Sequence, residues 1–355
     1  MSQRTTVVVL AFFPLGYSLN DTVRMMANGF HQAGCDTIWV DRHLGPRQSF
    51  RVMLRGGGAT YPGTCVRPRH SKLPYRVYSA LNGPEQTARV LRTLLLNREA
   101  AGQVLLYRST SAPNPRELSA LLAEIRPLVH RQLVDVLDTG LPPPLAEGLP
   151  TTVLAVSPLV AATLKPPVAV HPNGVDSRWL GLCQGPRRTP SVAAFVGNLA
   201  LLDVPWVVSC AQAFPGWEIR LIGPLELASD ALRALRRVPN IHLLGPVPYD
   251  RLPGLCQDVT IWWLFLRDTP QVQAADPLTL YEALATGAPV VSPPFAWATS
   301  SGFVLVARDA SEAVALSNRA VSHWTTEQGT QAVAAMAKRT WAARAEAALA
   351  TLNGW

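Results

Sequence analysis

Several common protein classes are excluded by what this sequence has little of. Its 355 residues contain five cysteines, at positions 35, 65, 183, 210 and 256. The number is odd, the positions are scattered and no pair has C-x-x-C spacing, so reduced thiols are expected rather than disulfides or zinc ligands. The seven histidines are isolated from one another, and no metal site is expected. No run of eighteen apolar residues occurs, which excludes a spanning helix of the usual kind. There is no G-x-G-x-x-G, no Walker A sequence and no G-x-S-x-G, so the commonest dinucleotide, P-loop and serine-hydrolase signatures are missing. Charged residues make up only 16% of the chain.

What is present is apolar and ordered. Hydrophobic residues account for 48%, enough to fill two cores in a chain longer than one core normally organises. The N-terminal apolar run carries one positive charge before it and breaks at Pro14, Leu15 and Gly16 with no small-x-small cleavage site. It reads as the first strand of a parallel sheet, and a cytoplasmic protein is expected. The net charge of +8 comes from dispersed arginines, without the dense patch and interleaved aromatics of nucleic-acid binders. It reads as a solvated basic surface, with attraction to a phosphorylated donor, an anionic acceptor or the inner face of a membrane as the functional alternative.

Along the chain, strand-like and helix-like segments alternate. Strands are expected at 6–13, 37–40, 104–107, 133–137, 152–156 and 168–170, with helices at 21–33, 85–101 and 115–125. Residues 42–74 are rich in Gly, Arg and Pro and read as a long functional loop or a partly disordered stretch. Strands at 192–196, 219–222, 241–244, 259–266, 289–292 and 303–306 follow, alternating with helices at 204–214, 230–237, 251–256, 278–286 and 310–322. A last helix covers about 331–352. The order implies right-handed parallel units and two doubly wound sheets.

The most informative stretch is DPLTLYEALATGAPVV at 276–291. Pro277 suits a first helical position, Leu280 and Leu284 give an apolar face, Gly287 stops the helix and Pro289 prevents its continuation. Glu282 lies in the first turns. Such a helix offers unpaired N–H groups to a phosphate and a carboxylate to sugar hydroxyls.

This stretch resembles the donor-binding helix of GT-B glycosyltransferases of the family 4 type, in the branch that carries N-P-x-K-x-Y-E-x-L-A-x-G-x-P-V-V. Further pieces in the same order resemble that family: FVGN at 195–198, LIGP at 221–224, NIHLLGPVPY at 240–249, HPNGVD at 171–176 and WAAR at 341–344. The resemblance implies an α/β GT-B fold, two Rossmann-like doubly wound domains facing a cleft, with the C-terminal helix crossing back to the first. Residues 1–180 with about 336–355 would form the acceptor domain, and 181–335 the nucleotide-sugar domain. It implies a glycosyltransferase that takes a nucleotide diphosphate sugar as co-substrate, with no resident cofactor and no metal.

The same resemblance gives Glu282 the ribose hydroxyls, and places Gly197, Asn198, Tyr249, Asp276, Pro277, Leu278 and Thr279 around the donor. Two positions depart from the family. Ala274 stands where many members carry a glutamate, and Thr279 where the related branch carries lysine. Arg267, at the carboxyl end of the 259–266 strand, is the substitute cation for a diphosphate; a salt bridge near Asp268 is its other reading. The Thr279 hydroxyl is a further phosphate contact. Asp276 reads equally as a helix cap, and Tyr249 as a packing residue.

A general base for the acceptor is expected at Asp138 or Asp21. Asp135 lies three residues earlier on the same strand, and His171 reads as structural. Gly16 and Tyr17 are acceptor-side candidates. The acceptor is read as a small molecule such as a specialised metabolite, or a glycan, and the protein as a monomer or homodimer. An epimerase-like GT-B enzyme and a catalytically degenerate GT-B binding subunit are the rival readings.

Overall fold

The computed structural model describes residues 5–10, 22–40, 64–66, 84–99, 102–109, 115–137, 148–165, 168–183 and 191–353. The chain divides into two compact units, Met1–Pro172 with Trp341–Trp355, and Asn173–Thr340.

The first unit is built on a seven-stranded sheet whose described strand pairs are all parallel. Its strands are β1 (Thr6–Leu10), β2 (Asp36–Val40), β3 (Thr64–Val66), β4 (Val104–Ser109), β5 (Arg131–Val136), β6 (Thr151–Ala155) and β7 (Val168–Val170), in the order β3-β2-β1-β4-β5-β6-β7. β1 and β4 are buried along their whole length, and residues 7–10 and 104–107 accordingly read as unbroken apolar runs rather than alternating ones. Val8, Leu10, Ile38, Val40, Val104 and Leu106 pack on one face against helices Pro84–Glu99 and Pro115–Ile125. On the other face Tyr107 meets Phe30 of helix Thr22–Gln32 edge-on, with ring centres 5.3 Å apart. β3 falls inside the 42–74 stretch expected to lack regular structure. Three residues carry no readable periodicity, and pairing with β2 is what makes them a strand.

The single last helix expected at 331–352 is instead two, Thr326–Ala337 and Trp341–Asn353. No proline or glycine marks the break. Thr340 forms a parallel bridge with Val175, and the Arg339 carbonyl accepts from Val175 N–H at 2.8 Å, so a tertiary pairing interrupts the helix. The second piece packs on Thr22–Gln32. Gly29 permits the close crossing: a Cβ there would lie 2.2 Å from the Trp341 carbonyl oxygen. Gly29→Ala is therefore expected to cost about 1–3 kcal/mol through overpacking, read as a lower midpoint in thermal unfolding. An unchanged midpoint would contradict this crossing.

Arg344 on that helix reaches Asp135 of β5. The two form a bidentate pair at 2.8 and 2.9 Å, with the Asp135 side chain fully buried. Arg344 also donates to the carbonyls of Pro172 and His171, at 2.9 and 3.1 Å, and Tyr107 donates to Asp135 at 2.8 Å. Burial pushes the Tyr107 phenol well above its ordinary range, reinforced by Asp135. Asp135 is thus consumed by structure. Cys35, Cys183, Cys210 and Cys256 are free thiols, as reduced cysteines should be.

The second unit holds β8 (Val192–Val196), β9 (Glu218–Ile222), β10 (Ile241–Gly245), β11 (Ile261–Trp263), β12 (Val290–Ser292) and β13 (Val304–Val306), all parallel, in the order β10-β9-β8-β11-β12-β13. From β8 the chain steps outward to β9 and β10, then returns to the other side of β8 for β11. The β8–β11 border is therefore a topological switch point, where open α/β sheets bind ligands beyond their carboxyl ends. β11 is shorter than the 259–266 strand expected. Leu264 N–H still donates to Val291 O at 2.9 Å, and from Phe265 onward the chain bonds the turn after β8 instead.

Candidate functional site

Two glycine turns follow β8 and β9. Gly197 N–H donates to Ile222 O and Gly223 N–H to Gly245 O, each at 2.9 Å, so neighbouring strand ends are laced together. A Cβ on Gly223 would lie 1.8 Å from the Gly197 carbonyl oxygen, which leaves room only for glycine. Asn198 caps the short 3-10 turn Leu199–Leu201 through a 3.0 Å bond to Ala200 N–H. That turn is stitched across the switch point. Arg267 N–H donates to Leu201 O at 2.8 Å, Leu202 bridges Leu266, and the exposed Arg267 guanidinium donates to Ala200 O. The salt-bridge reading for Arg267 is replaced by this carbonyl contact; Asp268 accepts from Gln273 instead.

Helix Leu278–Ala285 runs beside this turn. Pro277 is its N-cap in extended conformation (φ −72°, ψ 122°), one place before the first helical position expected. Pro277 is held there because residue 276 is anchored elsewhere. The Asp276 carboxylate accepts from Asn173 N–H and Tyr281 O–H, while Asn173 Nδ2 donates to Asp276 O at 2.8 Å. Asp276 is thus an anchor for the 173–176 segment and not the helix cap. No side chain caps the helix. The N–H groups of Leu278 and Thr279 have no intrahelical acceptor, as in any first turn. Thr279 Oγ1 donates to Val196 O at 2.7 Å, and it lies 3.4 Å from where a Gly197 Cβ would be. Its proton is therefore committed to that carbonyl.

One turn further along, Glu282 is 4% exposed. Its Oε1 accepts from Tyr249 O–H at 2.7 Å, and Tyr249 Oη accepts from Trp179 Nε1–H at 3.2 Å. The Arg178 guanidinium lies over the Tyr249 ring at 5.6 Å and is already held by both oxygens of Asp176 and by Asp250. Burial raises the Glu282 carboxyl to about 7, opposed chiefly by the Tyr249 hydrogen bond. Burial also pushes the Tyr249 phenol far above its ordinary range, with Glu282 adding to the shift.

The second unit therefore brings Gly197, Thr279 and the helix start together, and joins Tyr249 to Glu282 through the same helix. Asn198 and Arg267 meet on the adjoining turn. Trp179 was not singled out from the sequence. Asp21, Asp138, Gly16 and Tyr17 lie outside the described residues. Among the described residues no cluster of three or more His, Cys, Asp or Glu could hold a metal, and no helix is long and apolar enough to cross a membrane.

Solved structures with this architecture cover nearly the whole chain. AviGT4, a glycosyltransferase involved in avilamycin A biosynthesis, superposes with a TM-score of 0.63 at 14% identity, over 98% of this chain and 96% of that one. HepE from Anabaena, solved with UDP-glucose, gives 0.60 at 13% identity over 99% and 100%. The fold is GT-B. TarM gives 0.63 at 8% identity over 100% and 98%. At these identities the GT-B likeness concerns architecture. No family model matches the chain. Among curated proteins, a 102-residue stretch is 31% identical to the putative teichuronic acid biosynthesis glycosyltransferase TuaH of Bacillus subtilis. That stretch is 28% of this chain and 26% of TuaH, so the match spans about a quarter of the relative.

Proposed function

We propose that this GT-B protein is a glycosyltransferase that moves a sugar from a nucleoside diphosphate sugar to an acceptor hydroxyl or amine. One observation carries the reading. An uncapped helix starts at the sheet's switch point and carries a buried carboxylate one turn below its first N–H groups. Unpaired N–H groups and the positive end of the helix dipole suit a diphosphate. Gly197 allows close approach of the backbone, Asn198 borders the turn, and the exposed Arg267 adds a cation beside it. The ionised Glu282 suits the vicinal hydroxyls of a ribose, because bonds to a charged acceptor are stronger than neutral ones. As the glycosidic bond to phosphate breaks, negative charge grows on the leaving diphosphate, and these fixed donors stabilise it.

HepE, solved in complex with UDP-glucose, and TuaH, named a putative glycosyltransferase, support the same class. The nucleotide sugar is a co-substrate, so the reaction needs no resident cofactor. The acceptor is a glycan or a small molecule, and the site works in the cytoplasm. Its base is assigned to Asp138 or Asp21, with Gly16 and Tyr17 beside the acceptor.

The test is proton and phosphorus NMR of the protein with UDP-, GDP- and dTDP-linked hexoses, with and without a pool of glycan and small-molecule acceptors. Acceptor-dependent release of one nucleoside diphosphate is expected. Epimerised sugar appearing with donor alone would replace the transferase reading by an epimerase. An unchanged spectrum throughout would remove the enzymatic reading.

A further inference from the structure

Glu282 has two oxygens with different fates. Oε1 accepts from Tyr249, whereas Oε2 accepts no hydrogen bond from the described protein. The bond to Oε1 has a fixed direction. An indole N–H can only donate. Trp179 donates to Tyr249 Oη, so the phenol proton is left to point at Glu282. Trp179 is fully buried and Tyr249 is 3% exposed, so neither side chain is placed to touch a ligand broadly. Trp179 is itself braced edge-on by Trp262 at 6.1 Å, and Trp262 donates to Thr286 on the turn that ends the Glu282 helix.

We propose that Trp179 and Tyr249 are positioning residues: their one-way donor relay, indole to phenol to carboxylate, fixes Oε1 of Glu282 and turns Oε2 toward the ribose hydroxyls of the donor. This rests on the assignment of Glu282 to the nucleotide. The relay also supplies a hydrogen bond to the ionised carboxylate in a place where burial opposes ionisation. The other groups facing Glu282 do not take over that task. Asp176 disfavours its charge and Arg178 favours it. Arg178 is shared between Asp176 and Asp250. Cys256 is a buried thiol pushed above its ordinary range, with Cys183 against its carbonyl; Asp258 beyond them is paired with Arg220. Among the described residues, removing the phenol O–H thus leaves the carboxylate with no hydrogen-bond donor.

The experiment is titration calorimetry between pH 6 and 9, using whichever of UDP, GDP, dTDP, ADP or CMP most raises the wild-type melting temperature. Wild-type affinity should climb with pH as Glu282 ionises, then level off. Tyr249→Phe should move the midpoint of that climb upward by about one pH unit, the usual scale for a lost hydrogen bond to a carboxylate. Trp179→Phe should move it the same way by less, which keeps the test sound if one variant folds poorly. A purely structural role would lower affinity by one constant factor at every pH, and coincident midpoints for both variants would overturn the relay. Glu282→Gln is the control. Wild-type affinity in that variant would refute the assignment of Glu282 itself rather than the relay.

Discussion

Glu282→Gln is expected to produce a protein more stable than the parent at pH 8 and far weaker in nucleotide binding. The carboxyl is buried and its folded pKa is about 7 against an ordinary 4.5. Between those values the folded chain keeps a proton that the unfolded chain has released. Stability from this group is therefore fully present below about 4.5 and is lost as pH rises through 7. The loss amounts to about 3 kcal/mol once pH exceeds the folded value. Glutamine is nearly isosteric, can accept from Tyr249 and never ionises, so it escapes that loss. With the amide oxygen held by Tyr249, the ribose meets an NH2 that donates and does not accept, and losing a charge-assisted bond costs about 1.5–3 kcal/mol, roughly tenfold to a hundredfold in affinity. Denaturant unfolding at pH 5 and pH 8 checks the first half, and calorimetry with a nucleoside diphosphate the second. The two proteins should converge in stability near pH 5 and separate at pH 8. A variant less stable than the parent at pH 8 would show that Glu282 is a structural carboxylate.

Arg344→Met should be the most damaging single change in the first unit. It removes the partner of a carboxylate whose side chain is fully buried, and leaves two backbone carbonyls without their donor. Breaking a buried pair from one side costs about 3–5 kcal/mol, because the remaining charge has neither water nor a counter-ion. Replacing both partners with apolar groups, as in Asp135→Leu with Arg344→Met, should cost less than the single change. Urea unfolding of the parent, the single and the double variant reads this directly. A single variant within about 1 kcal/mol of the parent would mean that water reaches Asp135.

These two carboxylates show how far the sequence could be read. The helix that carries Glu282 was legible because its context is local: a proline before it, a glycine and a proline after it, and an apolar strand beyond. Strands such as β1 and β8 were legible for a related reason, since burial along their whole length turns them into apolar runs. The partners were not legible. Trp179 lies 70 residues from Tyr249, Asn173 lies 103 from Asp276 and Arg344 lies 209 from Asp135. Each pairing exists only once the sheets bring the segments together. Asp276 shows the cost of local reasoning. An aspartate before a proline and a helix has the look of a cap, yet its carboxylate is spent on Asn173 and Tyr281. The break at residues 338–340 was likewise invisible, because Lys338, Arg339 and Thr340 contain no breaker and the interruption comes from Val175.

The second sheet of this GT-B chain is expected to hold a nucleoside diphosphate at its switch point. A thermal-shift panel of UDP, GDP, dTDP, ADP, CMP and NAD tests it most directly. A ligand present at about a hundred times its dissociation constant adds about 2.7 kcal/mol to the folded state. A clear upward shift is expected from one nucleoside diphosphate and none from NAD. No shift from any member of the panel would contradict it.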